Sequence, residues 1–265
     1  LMAAETILNA SVQVEVYDAM PSAGRKFLIA GKGGLNLTHA EPYETFVTRY
    51  RNVADLRPYL DAFPPDALRE WAKELGFETF VGSSGKVFPE GMQAAPLLKA
   101  WRERLMAQGV TFYFQHRWLG WDKNQALRFE TAKGDVLTEA DGIILALGGG
   151  SWPKTGSTGA WVSLLQERGI PVQSLKPSNC GFNIQWSEHF KTHFAGEPIK
   201  SVALSFNGRT ERGEFVVTEH GIEGNLVYKF SADLRDAIEN NGSATLHLDL
   251  LPDTGLTQLF KRPRG

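Results

Sequence analysis

Gly24–His39 reads GRKFLIAGKGGLNLTH, sixteen residues holding four glycines, three basic side chains (Arg25, Lys26 and Lys32) and one asparagine, Asn36. Glycines at this density let the backbone take positive φ and bring bare N–H groups close to a ligand. The cations add positive charge at the same place, and the combination suits a pyrophosphate or an electron-rich ring. A flexible surface loop would carry the same residues, so the neighbouring sequence has to decide.

Just upstream, VQVEVYD (Val12–Asp18) alternates Val12, Val14 and Val16 in a strand pattern that ends on an acid. In a nucleotide-binding βαβ unit such an acid grips a ribose hydroxyl about 20 residues after the glycine fingerprint. Counting back from Asp18 puts that fingerprint at or just before residue 1. The opening LMAAE is helix-forming without a capping residue, and no intact G-x-G-x-x-G, Walker A or G-x-S-x-G occurs in the chain. The sequence is therefore expected to begin inside the first helix.

Far downstream a second segment repeats the chemistry. Gly142–Leu147 (GIILAL) is nearly all apolar, as expected of a parallel strand covered on both faces. It runs into GGGSWPKTGSTG, Gly148–Gly159, and then an expected helix over Ala160–Arg168. Ligands in open α/β sheets sit at the carboxyl ends of strands, where glycine turns feed helix N-termini. Two such turns, with an acid-ended strand ahead of the first, point to a dinucleotide.

Between them, Pro65–Gly76 reads as a helix with Leu68, Trp71, Ala72 and Leu75 on one face. Phe77–Pro89 reads as a hairpin turning at Gly82–Gly85, and Met92–Gln108 as a helix stacking Leu97, Trp101 and Leu105. Strand-like pieces follow at Val110–Phe114, Arg117–Trp121 and Ala126–Thr131, with a turn at Lys133–Asp135 before Val136–Thr138. From Pro177 the texture changes. Cys180–Trp186, Ile199–Asn207, Glu214–Thr218 and Thr245–Leu250 are strand-like, interrupted by one helix over Ser231–Asn240. Residues 1–176 are thus expected to form an α/β part and residues 177–265 a small β-barrel or sandwich.

Composition narrows the classes. The 265 residues are 42% hydrophobic and 22% charged, with a formal net charge of −2, which argues against a nucleic-acid or anionic-membrane surface. The basic cluster Lys261–Arg264 reads as a solvated tail. Cys180 is the single cysteine, which excludes an intrachain disulfide or cysteine-rich metal site. No apolar run approaches the roughly 18 residues of a membrane span, so a cytoplasmic setting is expected. His189 and His193 stand one helical turn apart, but HFKTH lacks a zinc-protease glutamate, and two surface histidines explain it. No metal site is expected.

GRKFLIAGKGGLNLTH, the SSGKVFP segment, ALGGGSWPKTGSTGAW and GEFVVTEHGIEGNLVYKFSADL together resemble the BaiN/RdsA-type flavoproteins, NAD(P)/FAD-dependent oxidoreductases also described as aminoacetone-oxidase-like. The resemblance covers essentially the whole chain. It implies a Rossmann-like FAD-binding domain, lacking its first strand, interrupted by a β-barrel that begins near Pro177. It places Asp18 where the family's acid holds the adenosine ribose. Arg25, Lys26, Gly31, Lys32, Gly33, Gly34 and Asn36 fall on its flavin loop. Ala146, Gly148 and Gly149 fall on the strand-end turn near the cofactor, and Trp118 lies near the adenine-contact strand. NAD(P)H is the implied electron donor and a small organic molecule the implied substrate. Many members carry Arg-Cys after the glycines; Leu35 precedes Asn36 here, which marks a distinct subfamily. The resemblance also implies family elements before Leu1 and after Gly265, so a partial product that holds FAD weakly or not at all is expected. A nicotinamide-only oxidoreductase and a non-catalytic fragment are the alternatives.

Overall fold

In a computed structural model, which describes residues 1–10 and 12–254, the helix-forming opening becomes α1 (Met2–Ile7) and the acid-ended run becomes β1 (Glu15–Asp18). Both belong to the first of two units, Leu1–Gln173. Along it follow α2 (Arg25–Ala30), β2 (Thr38–His39), α3 (Tyr43–Val47), α4 (Val53–Ala62) and α5 (Pro65–Glu74). Then come β3 (Thr79–Val81), β4 (Lys86–Pro89), α6 (Ala94–Ala107), β5 (Thr111–Phe114), β6 (Arg117–Trp121), β7 (Leu127–Thr131), β8 (Gly134–Thr138) and α7 (Trp161–Gln166).

Strand β1 pairs in parallel with β5, Glu15 opposite Thr111 and Asp18 opposite Phe114. The expected hairpin forms and is joined by β2 in the order β2-β4-β3, while β6, β7 and β8 make an antiparallel meander. The core lies along α6. Leu97, Trp101 and Leu105 repeat every fourth residue, so they share one face and meet Trp71 and Ala72 of α5, Ala4 of α1 and Val14 and Val110 beside the parallel pair. One carboxylate fastens these helices. Glu5 accepts the indole N–H of Trp101 (2.6 Å) and of Trp71 (3.1 Å) and pairs with the Arg104 guanidinium. Each indole thereby buries its apolar body and keeps a partner for its N–H.

Three expectations change. The glycine-rich stretch is not loop throughout, because RKFLIA carries good helix formers and folds as α2. The meander turns at Ala132–Lys133, since Thr131 pairs directly with Gly134. Gly142–Leu147 is no strand. It belongs to none of the sheets, and Ile143, Ile144 and Leu145 are exposed. A continuous apolar run signals a preference for burial, but a strand also needs a neighbouring ladder, and none reaches this run among the described residues.

The second unit, Ser174–Gly265, contains β9 (Phe182–Asn183), α8 (Glu188–Phe194), β10 (Pro198–Phe206), β11 (Arg209–Thr218), β12 (Gly221–Glu223), α9 (Asn225–Tyr228), α10 (Ser231–Asn241) and β13 (His247–Asp249). More helix is present than the single segment expected. The strands form an open sheet, β13-β10-β11-β12-β9. The short outer strands β13 and β9 do not pair with each other, so among the described residues the sheet is open. Alternating Val202, Leu204 and Phe206 of β10 pack with Phe215 and Val217 of β11, Leu226 and Val227 of α9, Leu234 of α10 and Phe230 between the two helices. The fully buried Ser231 hydroxyl bonds both the N–H and the C=O of Cys180, pinning that segment to α10. No helix among the described residues is long and apolar enough to cross a membrane. The basic cluster Lys261–Arg264 lies outside the described residues.

Replacing the clasping carboxylate, Glu5→Ala, leaves two indole donors and a guanidinium without their acceptor. It should lower the stability of the first unit by about 2–3 kcal/mol, read as a shift of the urea midpoint. An unchanged midpoint would show that the clasp does not hold the helices.

Candidate functional site

The first glycine segment is set in place by α6. A Cβ on Gly24 would come within 2.7 Å of the Leu98 methyls, and one on Gly31 within 2.3 Å of the Ala94 Cβ. Gly31 must therefore be bare for α2 to lie against α6, while at Gly24 the left-handed φ of 78° is what favours glycine. Gly34, at φ 109°, redirects the chain so that the buried Leu35 bonds back to the Met92 carbonyl. The Asn36 amide donates to the carbonyls of Thr38 (2.7 Å) and Val87 (3.1 Å), bracing the exit from the loop. Gly31, Gly34 and Asn36 thus shape the protein side of the segment, while Gly33 borders open space. Lys32 lies in the short 3-10 turn Gly31–Gly33, and its side chain is outside the described residues.

Asp18 ends β1. Its Oδ1 accepts the Met20 N–H at 2.8 Å. Burial raises its carboxyl above the usual carboxylate range, with the Met20 N–H and the nearby Arg25 cation opposing the rise. Arg25 opens α2, and its buried Nε has no hydrogen-bond partner among the described residues. The turn after β5 fixes this corner, His116 N–H bonding the Asp18 carbonyl and Gln115 N–H the Met20 carbonyl.

The second glycine segment arrives at the same place. Lys26 Nζ lies 2.7 Å from Ser151 Oγ and 3.4 Å from the Ser151 carbonyl, across 125 residues of sequence. Gly156 packs on Met20, where a Cβ would stand 2.9 Å from its Cγ. The Trp161 indole N–H closes the segment by bonding the Gly148 carbonyl at 3.1 Å. Gly148 takes φ 73°, Gly149 borders open space, and Ala146 sits in the exposed run before them. Trp152, at φ 62° and ψ 64°, is left-handed yet 61% exposed. Its carbonyl accepts both the N–H (2.9 Å) and the hydroxyl (2.8 Å) of Thr155.

Trp118 stands on β6 opposite Phe129 of β7. Phe129 in turn stacks on Tyr17 of β1 at 4.4 Å, and Tyr17 on Tyr113 of β5 at 4.7 Å, with the His116 ring edge-on to all three. Burial and the Glu15 carboxylate raise the Tyr17 hydroxyl to about 12. The Trp118 indole N–H is buried without a partner among the described residues. Sequence reasoning did not single out Tyr17, His116, Ser151 or Trp152; Ser151 and Trp152 lay inside GGGSWPKTG, read there for its glycines alone.

In the second unit His189 and His193 stack at 4.2 Å, with His193 Nδ1 2.7 Å from the His189 carbonyl. No group of three or more His, Cys, Asp or Glu side chains able to hold a metal occurs among the described residues. A shallow cleft of about 310 Å³ there includes Trp186, Lys191 and His220 in its lining, but Lys191 is already paired with Glu188 at 2.7 Å. Nothing in that cleft matches the convergence of acid, cations and glycine turns in the first unit.

A model of the HI0933-like protein Rossmann domain matches residues 1–242. The chain is similar to the 3-dehydro-bile acid delta(4,6)-reductase of Clostridium scindens, 25% identical over 263 residues, 96% of this chain and 62% of that protein. It is also similar to the ribosomal RNA dihydrouridine synthase of Haemophilus influenzae, 22% identical over 265 residues, again 96% of this chain and 62% of that protein. The chain thus spans less than two thirds of the length of these curated relatives.

The raised Asp18 carboxyl makes a signed prediction. A folded-state value above the unfolded one means that ionised Asp18 opposes folding once pH passes the folded value, and has no such effect below the unfolded value. Asp18→Asn should therefore raise the melting temperature at about pH 7, with the gain disappearing below about pH 4. A variant that melts lower at neutral pH would show that the carboxylate is a net stabiliser.

Proposed function

The chain belongs to the HI0933-like family of Rossmann-domain proteins, and on that premise we propose that it serves a flavoprotein oxidoreductase that binds FAD, is reduced by NAD(P)H and acts on a small organic substrate. The observation that carries this reading is the Lys26–Ser151 contact, which joins the two glycine segments beside the acid-ended strand.

The residues at that junction fit a flavin dinucleotide. Asp18 is a desolvated carboxylate with one backbone N–H on Oδ1, and a vicinal diol would add the hydroxyl donors that burial denies it. Arg25 sets a cation near Asp18, where it would favour an anionic group. Gly33 and Gly149 leave backbone bare toward open space. Lys26 holds its cation against the second segment, where an electron-accepting ring would gain negative charge. Bound flavin supplies hydride transfer, and the protein's part is to place the ring and set its electrostatic surroundings. Both relatives are named for reductive chemistry, a delta(4,6)-reductase and a dihydrouridine synthase, which supports reduction of an activated double bond as the reaction class.

Titrating FAD into the purified protein should give weak but saturable quenching of flavin emission, which would set aside the non-catalytic fragment. Lys26→Met should weaken that binding about tenfold, as for a charged contact of ~1.5 kcal/mol, while barely moving the melting temperature, because the pair is exposed. A protein that binds NADPH but leaves FAD emission unchanged would overturn the flavin reading.

A further inference from the structure

A turn sets the backbone of Trp152, but nothing in the fold buries its side chain. Left-handed backbone is rare for a bulky side chain and costs conformational energy, which burial or a tight turn usually offsets. Here the indole is 61% exposed, so it recovers little by leaving water. The conformation is nevertheless fixed from both sides. Thr155 bonds the Trp152 carbonyl twice, and Pro153 follows directly with its own φ restricted. The outcome is a fixed backbone carrying a solvent-facing indole, next in sequence to Ser151, which holds Lys26.

We propose that Trp152 is a stacking platform for the flavin ring system. The inference rests on the flavin reading above and adds to it the residue that receives the ring. An indole face takes any planar heteroaromatic system, and the Lys26 cation, bonded to the preceding Ser151, would select among them. Oxidised nicotinamide is itself a cation and would be repelled. An isoalloxazine gains negative charge on reduction and would be favoured. The exposed Trp152 face is thus kept for a ligand ring, and its backbone strain is the cost of holding it there.

The test uses the purified protein with Trp152→Gly and Trp152→Phe. Glycine relieves the left-handed strain and removes the ring; phenylalanine keeps a ring. Without ligand, Trp152→Gly should melt at or above the unsubstituted protein. It should bind FAD about tenfold more weakly while ADP, which carries the adenosine and pyrophosphate but no flavin, binds as before. Trp152→Phe should stay within about threefold of the unsubstituted protein. Unchanged FAD affinity in Trp152→Gly overturns the platform alone, as does a loss confined to NADPH. A lowered melting temperature with equal losses for FAD and ADP also overturns it, assigning Trp152 a structural role. Binding of neither FAD nor ADP by the unsubstituted protein overturns the dinucleotide reading and the platform with it.

Discussion

The first unit depends on the carboxylate of Glu5. By taking the indole donors of Trp71 and Trp101 and the guanidinium of Arg104, it fixes α1, α5 and α6 relative to one another. Helix α6 then presents Ala94 and Leu98 as the surface on which Gly24 and Gly31 settle. That contact sets the line of α2, whose first turn carries Arg25 and Lys26. Lys26 in turn reaches Ser151. The position of one cation beside the second glycine segment is therefore inherited, contact by contact, from a carboxylate in the opening helix.

Where these contacts end, the local rules of a well-satisfied fold are broken three times in one neighbourhood. Asp18 is a carboxylate drawn out of water, Arg25 has a buried donor without a partner, and Trp152 holds a strained backbone under an exposed ring. Trp71 and Trp101, by contrast, keep both burial and a hydrogen bond, although Arg102 Nε, Arg104 Nε and Trp118 Nε1 in the same unit are also buried without a partner among the described residues. Such departures cluster at functional sites, because groups left unsatisfied by the protein are those a ligand can satisfy. On the proposed flavin reading, the three would meet different parts of one ligand: Asp18 its hydroxyl donors, Arg25 its anion and Trp152 its flat ring.

Periodicity made much of the scaffold legible. Leu97, Trp101 and Leu105 announced α6, and the glycines of Gly82–Gly85 announced the β3–β4 hairpin, because both signals are local. The acid at the end of β1 was legible for the same reason. Two kinds of information were not. A glycine that makes room for a neighbour looks the same in sequence as one that makes room for a ligand, so Gly31 and Gly33 could not be told apart until Ala94 was placed beside the first. Ser151 was silent because its partner lies 125 residues away. The expected barrel rested on strand count, whereas closure depends on how outer strands meet, which no local pattern encodes.

The exposed run Gly142–Leu147 has a colloidal consequence. Six uncharged residues, rich in isoleucine and leucine and paired with no strand among those described, have the composition of segments that zip to their own kind. The side chains that suit this run to the interior of a sheet also make it adhesive while it stays uncovered. Self-association at high concentration is therefore expected to start from this stretch, which leads through Ala146 into the second glycine segment.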